Sequence, residues 1–543
     1  MQLNNLTQGD YSLSQAYYQL SLPLDLSCRI PENDPVRLLS IFVDDMDLED
    51  LYKTYSHNTW ENRADPRRLL KILLYAYMNH IYSSRAIETA CRRDINFMFL
   101  LEGRPAPTYS TISRFRTRHF GPCAQSIMAK TTSFLCRIGE LSKESVFIDG
   151  TKIEANANKY TFVWRKATVK NSRKLSDKIR SLCEICQKFY RIGAACYVKP
   201  SLHNLKHLRR ELYQIKQKQG IVFVHGHGHH KSELQRIIEK VEAAVSKMKE
   251  YNHKIFLCAG RNSYSKTDHD ATFMRLQEDA MLNGQLKPAY NIQHALDSDY
   301  IAWVSISPKP TDTTPLIPTL KEMQEHLGFK YKKVVADAGY ESEENYLFLE
   351  QNDQLSFIKP SNYEISKTRK YRTDISRREN MQYNSETDSY TCKNGRKLTK
   401  QYERKVRSKT GYVSVKTIYQ CDDCHDCPYK TKCIRGNNCK TPWEDRKKLL
   451  QVSKLFEKKR REDLERILSD EGCQLRLNRS IQAEGSFAVT KEDMAFRRYL
   501  CRGKKNVLAE SILVAIAYDL SKLNFKIQSK RCGRHLHPMT RAA

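Results

Sequence analysis

Three carboxylates of the 543-residue chain stand where the surrounding sequence can hold them rigid: Asp149, Asp337 and Glu484. The first two follow apolar, β-branched runs, in VFIDGTKIEAN and KVVADAGYES, which predict buried strands with an acid at the carboxyl end. Glu484 lies in NRSIQAEGSFAVTKED, a mixed polar and apolar segment that favours a helix. Acids that converge from two strands and a helix form an oxygen-only site suited to hard divalent cations. The chemistry indicated is phosphoryl transfer.

The charge of the chain indicates the substrate of such a site. Lys and Arg number 92 against 62 Asp and Glu, and this net charge of +30 is spread along the chain. An excess of this size favours a polyanion, which is bound with release of counterions. A solvated basic surface without such a partner is the alternative. We therefore predict a nucleic acid substrate.

The elements that must position the acids are predicted from hydrophobic spacing. Their order is a strand ending in Asp149, a hairpin near Asn291, a helix from Pro315, a strand ending in Asp337, a helix and the strand LSFIK. This is the order of the RNase H-like fold, which belongs to the α/β class. The helix that carries Glu484 closes the domain.

The N-terminal part of the chain predicts a small helical unit. Its helices start at Asp65, at Ser83 or Ser84, and at about Thr108. The last is expected to run to Phe120 and to expose four basic side chains: Arg114, Arg116, Arg118 and His119. A helix-turn-helix-like DNA reader fits this pattern. An ordinary amphipathic helix with a solvated face is the alternative.

The chain is expected to divide into four parts and two insertions. The four parts are a segment of unclear role at 1–60, a helical DNA-binding domain at 61–140, a catalytic domain at 141–528 and a basic tail at 529–543. Two insertions interrupt the catalytic domain: a helical one at 165–255 and a basic, irregular, cysteine-rich one at 361–475. Within the helical insertion, the Gly-interleaved HGHGHH from His225 is more typical of a flexible loop than of a metal site.

The 17 cysteines are expected to be reduced or metal-bound, because the chain shows no secretory signal. No apolar run is long enough to span a membrane; VLAESILVAIAYDL is interrupted by Glu510 and predicts a core helix. We therefore expect a cytoplasmic protein.

A cysteine cluster in the second insertion predicts a structural zinc site. CDDCHDCPYKTKC supplies Cys421, Cys424, Cys427 and Cys433, with Cys439 downstream and Cys392 upstream. Paired C-x-x-C spacings let two thiolates face one tetrahedral ion. An iron–sulfur cluster is the alternative. The spacing does not determine which four thiols bind.

At these motifs the chain resembles the DDE transposases of bacterial insertion sequences. The resemblance runs from near Asp65 to Gln528 and rests on IDGTKIEANANKY, DATFMRLQEDAMLNGQLKPAYNIQ, VADAGYESEENY and AEGSFAVTKEDMAFRRYLCRGKKN, together with the cysteine-rich insertion. It implies that the three acids of the opening form the catalytic triad. Related enzymes have a basic residue seven positions after the Glu, which is Lys491 here. They also have an Arg four positions before it, where this chain has Ser480, with Arg479 one position further back.

The triad implies a two-metal mechanism. Two Mg²⁺ (or Mn²⁺) ions would activate water, stabilise the leaving 3′ oxygen, and then use the freed 3′-OH to attack target DNA. The expected partners are double-stranded DNA, as the terminal inverted repeats of the element and as target, and a second copy of the chain on that DNA. Lys491 and Arg479 would support catalysis. Further basic residues either follow the DNA backbone or form a solvated face: Arg497, Arg498, Lys504 and Lys505.

Other acids compete for the site. Four of them lie near the two aspartates and are expected to face solvent or to cap a helix: Glu154, Glu341, Glu343 and Glu344. Asp270, in TDHDATF, is a stronger rival, and we assign it a supporting role.

The predicted function is binding of the ends of an insertion sequence, strand cleavage and strand transfer, at the bacterial nucleoid. Two alternatives remain: an RNase H-like nuclease that does not join DNA, and a catalytically silent DNA-binding regulator derived from a transposase. An intact triad argues against the second.

Overall fold

The computed structural model describes residues 26–55, 65–226, 228, 230–276, 284–436, 439 and 441–538. Parts of the first expected segment, two histidines of HGHGHH (His227 and His229) and the end of the basic tail lie outside these residues. The described chain is a mixed α/β structure. No described helix is both long and apolar enough to cross a bilayer.

The N-terminal part is helical. Its elements are α1 (Pro35–Asp44), α2 (Glu49–Tyr52), α3 (Pro66–Met78), α4 (Ser84–Arg93), α5 (Ile95–Leu101), α6 (Tyr109–Arg114) and α7 (Gly121–Arg137), with a π-helical stretch, Phe115–Phe120, between the last two. Asp65 caps α3 as predicted, its carboxylate accepting from Arg68 N at 3.1 Å, and Pro66 takes the first helical position. The third predicted helix does start after Thr108, but it continues past Phe120 through the π-helical stretch into α7, with Pro122 in the first turn of α7.

The chain then enters the main sheet and leaves it for the helical insertion. The elements are β1 (Ser145–Glu154), β2 (Phe162–Trp164), α8 (Arg165–Tyr190), α9 (Ala194–Val198), α10 (Leu202–Lys218), α11 (Glu233–Cys258) and β3 (Ser263–Ser265). Helices α8 to α11 bury a hydrophobic core of their own, separate from that of the main sheet. Strands β2 and β3 pair antiparallel at the base of the insertion.

The main sheet is completed by β4 (Thr272–Arg275), β5 (Leu286–Asp297), β6 (Tyr300–Ser307), α12 (Leu316–Leu327), β7 (Lys333–Ala336), α13 (Glu343–Gln351) and β8 (Leu355–Ile358). Its strand order is β6-β5-β1-β7-β8, and β4 pairs with the first residues of β5 on the same edge as β6. Strand β5 is antiparallel to β1, whereas β7 and β8 are parallel to it. The predicted hairpin, helices and strands of this region are confirmed.

The second insertion is more regular than expected. It contains α14 (Tyr363–Ser366), α15 (Arg369–Arg372), β9 (Gln382–Asn384), β10 (Ser389–Thr391), β11 (Lys397–Arg407), β12 (Val413–Cys421), α16 (Lys430–Cys433) and β13 (Leu449–Val452). The five strands form one antiparallel sheet in the order β13-β12-β11-β10-β9. The expectation of an irregular segment was wrong, because the strands carry charged side chains on exposed faces, and this weakens the alternation that identifies a strand.

The last elements return to the main sheet: α17 (Lys454–Leu468), α18 (Asp470–Arg479), α19 (Gly485–Ala488) and α20 (Lys504–Gln528), with π-helical stretches at Ser480–Glu484 and Val489–Asp493. Helix α17 packs on β8, where the buried Asp463 accepts from Ile358 N at 2.8 Å, so the chain rejoins the sheet ahead of the boundary expected near 475. Helix α20, the predicted core helix, is buried along most of its length. It joins the N-terminal helices and the sheet in one hydrophobic core.

Candidate active site

The sheet register places Asp149 beside Asp337. Strands β1 and β7 run parallel, with Ile148 paired to Ala336, so the next residue of each strand is an aspartate. Strand β7 ends at Ala336 as predicted, whereas β1 continues to Glu154 because it stays paired with β5. Asp149 therefore lies in mid-strand, not at a strand end.

One arginine contacts both aspartates. Arg479 Nη2 lies 2.6 Å from Asp149 Oδ2 and 3.9 Å from Asp337 Oδ2. Each aspartate also accepts a backbone hydrogen bond at 2.8 Å, Asp149 from Gly150 N and Asp337 from Gly339 N. The carboxylates are thus oriented by the main chain and share a positive charge.

The two aspartates differ in their surroundings. The Asp149 side chain is 15% exposed and the Asp337 side chain 42% exposed. Burial raises the pKa of Asp149 to about 6; Arg479 opposes this rise, and the charge of Asp337 adds to it. Asp149 is therefore a carboxylate whose charge needs a cation nearby.

A π turn explains where Arg479 stands. Ser480–Glu484 is π-helical, and a π turn bonds residue i to i+5, so it holds one residue more than an α turn. Two residues five positions apart in a π turn lie on one face, as do two residues four positions apart in an α-helix. Arg479 and Glu484 are five positions apart, one more than the resemblance to related enzymes implies, and the π turn accommodates this extra residue.

Glu484 is exposed on the same turn. Its Oε1 accepts from Ser480 Oγ at 2.9 Å. Gln482 and Ala483, which precede Glu484 in the π turn, are buried against the main sheet. Among the described residues, no hydrogen bond or ion pair joins the carboxylate of Glu484 to Asp149 or Asp337. Within the same part of the chain, no three His, Cys, Asp or Glu side chains form a metal-binding group.

Lys491 lies close to the strand opposite Asp149. His294 pairs with Asp149 across β1 and β5. Burial, with the added charge of Lys491, lowers the pKa of His294 to about 3. Lys491 is itself buried in the second π stretch, so its charge acts on His294 in a poorly solvated place.

The C-terminal segment braces the helix that carries these residues. Asn478 Nδ2 donates to His537 O at 3.0 Å, and His537 N donates back to Asn478 Oδ1 at 2.7 Å. Gln482 Nε2 donates to His535 O at 3.3 Å. The part of the expected tail that the structure describes is therefore docked on the helix of Arg479.

The rival acids have partners elsewhere. Glu341 is buried in a bidentate ion pair with Arg460, at 2.6 and 2.8 Å. Asp270 Oδ2 accepts from Lys504 N at 2.8 Å, at the start of α20. The others bind the following partners: Glu154 with Lys287 and Arg498, Glu343 with Tyr412 and Ser453, and Glu344 with Thr410.

Four residues near the aspartates were missed: Asn291, Gln293, Asp312 and Tyr340. Asn291 and Gln293 lie on β5 opposite β1, and both are buried. Two polar residues spaced by two in a buried strand share one face, which was a usable signal. Asp312 lies in the Thr- and Pro-rich loop before α12, where the sequence carries no such signal.

Two family models match the chain. A transposase DDE domain matches residues 391–524, and a transposase domain (DUF772) matches residues 24–118. The chain belongs to the DDE transposases of insertion sequences. No curated protein and no solved structure matches it. The first matched region contains Glu484 and Lys491, and the second contains α1 to α6, while Asp149 and Asp337 lie between the two.

Family membership establishes the activity of this transposase. It is an enzyme that cleaves and transfers DNA strands by metal-dependent phosphoryl transfer. Neither the nuclease alternative nor the silent regulator gains support from the matches.

The basic side chains expected to bind DNA divide into exposed and buried. Arg116 is buried, and its Nη1 donates to Tyr77 OH at 3.3 Å and to Tyr82 O at 3.1 Å. The expectation that Arg116 faces solvent was therefore wrong, because α3 and α20 cover that face of the helix. The remaining six are exposed: Arg114, Arg118, Arg497, Arg498, Lys504 and Lys505.

The cysteine cluster of the second insertion lies at one end of its sheet. Cys421 and Cys424 are buried there, and Cys392 and Cys433 pack against the same small core. Burial raises the pKa of Cys421, and the neighbouring thiols of Cys424 and Cys392 raise it further. Cys439 is exposed. The four thiols that share this core include Cys392 in place of the expected Cys427.

Proposed function

We propose that Asp149, Asp337 and Glu484 are the catalytic acids of this transposase, on an RNase H-like core. The observation that carries the proposal is the shared contact of Arg479 with both aspartates. The strand order β6-β5-β1-β7-β8, in which β5 runs antiparallel to the other four strands, supports the RNase H-like assignment.

The donor set fits a divalent cation. Two carboxylates already share one positive charge, and the buried one is hard to ionise without it. Asp149, Asp337 and Glu484 would hold Mg²⁺ or Mn²⁺, in a two-ion site. Such ions, when bound, activate the attacking oxygen and stabilise the leaving one.

The remaining side chains have roles of their own. Arg479 favours the ionised form of Asp149 and holds the two aspartates close together before cations and DNA arrive, and afterwards its guanidinium can bind a phosphate oxygen. Lys491 contributes positive charge beside β5, where a DNA phosphate would pass. The main-chain N–H groups of Gly150 and Gly339 orient the acids in both stages.

DNA binding is assigned to the exposed basic residues. Arg114 and Arg118 project from one helix of the N-terminal part, which we propose as the DNA-binding domain, and Arg497, Arg498, Lys504 and Lys505 cluster near the start of α20. The two ends of an element must be brought together, so we propose a homodimer on DNA. Its place of action is the bacterial cytoplasm, at the nucleoid, where that DNA lies.

The cysteine cluster is proposed to hold a structural zinc ion. Thiolate ligands close the coordination of such an ion, so it stabilises the insertion and takes no part in catalysis. Candidate ligands are Cys392, Cys421, Cys424, Cys427 and Cys433. Purified protein should contain about one zinc per chain; metal-free protein with the same melting temperature would contradict the assignment.

The test of the triad is to replace each acid by its amide. Asp149→Asn, Asp337→Asn and Glu484→Gln keep the shape and remove the charge that holds a cation. A loss of about 4 kcal/mol of transition-state stabilisation slows cleavage roughly a thousandfold. Affinity for the element ends should change little, because it rests on the basic surface. Glu344→Gln is the matched control, since Glu344 bonds Thr410. Normal cleavage by Glu484→Gln would remove Glu484 from the site.

A further inference from the structure

A network of buried polar side chains lies beside the two aspartates. Asp312 Oδ1 accepts from Asn291 Nδ2 at 2.8 Å and from Gln293 Nε2 at 3.3 Å. Gln293 Nε2 also donates to Asn291 Oδ1 at 3.1 Å, and Tyr340 OH donates to Gln293 Oε1. Asn291, Gln293 and Tyr340 are essentially inaccessible to solvent. Asp312 is the charged acceptor on which the two amides converge.

This network packs against the residue that follows Asp149. Gln293 pairs with Gly150 across β5 and β1. A Cβ atom on Gly150 would come closest to Gln293 Nε2 and would lie 2.8 Å from Asp312 Oδ1 and 3.1 Å from Tyr340 OH, so a larger residue there would displace the network. The N–H of Gly150 in turn orients Asp149. A shift in the network therefore shifts the amide that holds Asp149.

The loop of Asp312 also reaches the turn of Asp337. A Cβ atom on Gly339 would lie 3.6 Å from Asp312 Oδ2, and Thr313 Oγ1 donates to Gly339 O at 2.9 Å. The N–H of Gly339 orients Asp337. One loop thus contacts both of the glycines whose amides hold the aspartates.

The acceptor oxygens of Asp312 suit this arrangement. A carboxylate offers hydrogen-bond acceptors without a competing donor, and two amide N–H groups are directed at Asp312 Oδ1. Burial raises the pKa of Tyr340 well above its usual value, and Asp149, Asp312 and Asp337 raise it further, so the phenol stays protonated and donates to Gln293.

We propose that Asp312 is a positioning residue for DNA cleavage, which acts through Asn291 and Gln293 to hold Asp149 and Asp337 at the spacing that cations require. The proposal rests on the proposed catalytic role of those two aspartates. It assigns Asp312 the part of a hydrogen-bond acceptor, not of a cation ligand.

The test compares Asp312→Ala with Asp312→Asn. The alanine leaves two buried amides without an acceptor, and cleavage should slow about a hundredfold through misplacement of the acids. Affinity for Ca²⁺, titrated calorimetrically without DNA, should fall about tenfold, as when residues that support metal ligands are removed. The asparagine keeps an acceptor oxygen and should restore both to within about threefold of the parent. Glu325→Ala, an exposed acid on α12, is the control.

Parent-like cleavage by Asp312→Ala would overturn the proposal, and so would equal impairment in Asp312→Asn, which would show that the charge itself is needed. If Asp312→Ala does not fold, Asn291→Ala is used instead, because it removes one of the two amide donors to Asp312. This variant should also lower the affinity for Ca²⁺, and an unchanged Ca²⁺ affinity would overturn the proposal as well. Asp149→Asn is assayed in parallel. If that variant cleaves normally, the proposed triad fails, whatever Asp312 does.

Discussion

At the scale of residues, the proposed active site is organised around Asp149, a carboxylate whose ionised form is disfavoured by burial. Asp149 is largely buried, and its negative charge is stabilised mainly by Arg479. Asp337 is more exposed, so its negative charge depends less on a nearby cation. The pair therefore holds one carboxylate that titrates near neutral pH and one that is solvated. Arg479 links the two, and removing it should affect protonation as well as geometry.

The rate of cleavage at limiting Mg²⁺ should rise with pH through about 6, because cation binding needs the ionised form of Asp149. Arg479→Ala should move this inflection to higher pH, since Arg479 lowers the pKa of Asp149. A pH–rate profile checks both, with thermal melting followed at each pH to exclude unfolding. Arg476→Ala, on the same helix but facing Tyr363, should leave the inflection in place. An inflection that stays at the same pH in Arg479→Ala would show that Arg479 does not stabilise the charge of Asp149.

At the scale of elements, the helix from Tyr109 to Arg137 has a buried and an exposed basic side. Arg116 reaches Tyr77, which itself donates to the buried Glu510 of α20 at 3.5 Å. Arg114 and Arg118 are exposed. Arg116 thus connects the N-terminal helices to the core, whereas Arg114 and Arg118 face solvent.

These arginines should separate stability from DNA binding. Arg116→Ala leaves a buried acid without its cation and should cost about 3 kcal/mol of folding free energy. Arg114→Ala and Arg118→Ala should leave the melting temperature unchanged, and each should lower the slope of log affinity against log salt by about one unit. Melting curves and a salt series on element-end DNA measure the two effects. Unchanged affinity and slope in both exposed variants would remove this helix from the interface.

The π turn Ser480–Glu484 is the second element that positions proposed catalytic residues. It adds one residue between Arg479 and Glu484 without rotating the helices on either side. Arg479 can then face the aspartates while Gln482 and Asn478 stay buried against the sheet and the C-terminal segment.

Deleting Ser480 should therefore be tolerated better than deleting a residue of a regular helix. Loss of Ser480 converts the π turn to an α turn and keeps the register of both flanking helices, so melting should change by only about 5 °C and part of the cleavage activity should remain. Deletion of Gln474, within α18, turns every preceding side chain by about 100° and should unfold this region. Circular dichroism melting and a cleavage assay compare them. Equal damage from both deletions would show that the π turn is not a tolerated insertion.

At the scale of the whole molecule, the transposase combines one shared core with one independent core. Helices α3, α7 and α20 share one hydrophobic core with the main sheet, so the N-terminal helices and the proposed catalytic residues belong to one body. Helices α8 to α11 have their own core and connect through β2 and β3, where Trp164 pairs with Ser263.

The helical insertion should accordingly be removable, whereas the N-terminal helices should not. Replacing residues 165–262 by Asn-Gly joins β2 to β3 through a two-residue hairpin turn and should shift the melting temperature by about 5 °C or less. Deleting residues 26–140 exposes the apolar face of α20 and should abolish cooperative melting. Calorimetry of both truncated proteins decides the matter. A cooperative transition after the second deletion would contradict the shared core.

The sequence alone determined the local features of this protein. Short β-branched runs predicted the strands of Asp149 and Asp337, and spacing predicted the hairpin, α12, α13 and the core helix α20. These predictions succeed because the apolar pattern of a strand or helix reports which of its own faces is buried. The family followed from long motifs, and the net charge of +30 agreed with a DNA substrate.

The tertiary structure alone decided which residues meet. The contact of Arg479 with Asp149 joins positions more than 300 residues apart, and it depends on a π turn that spacing does not indicate. Arg116 is buried because α20, from the other end of the chain, covers it. Asp312 joins the site because the β6–α12 loop folds over two strands. Each case depends on packing between distant elements, and periodicity within one element carries no information about its partner.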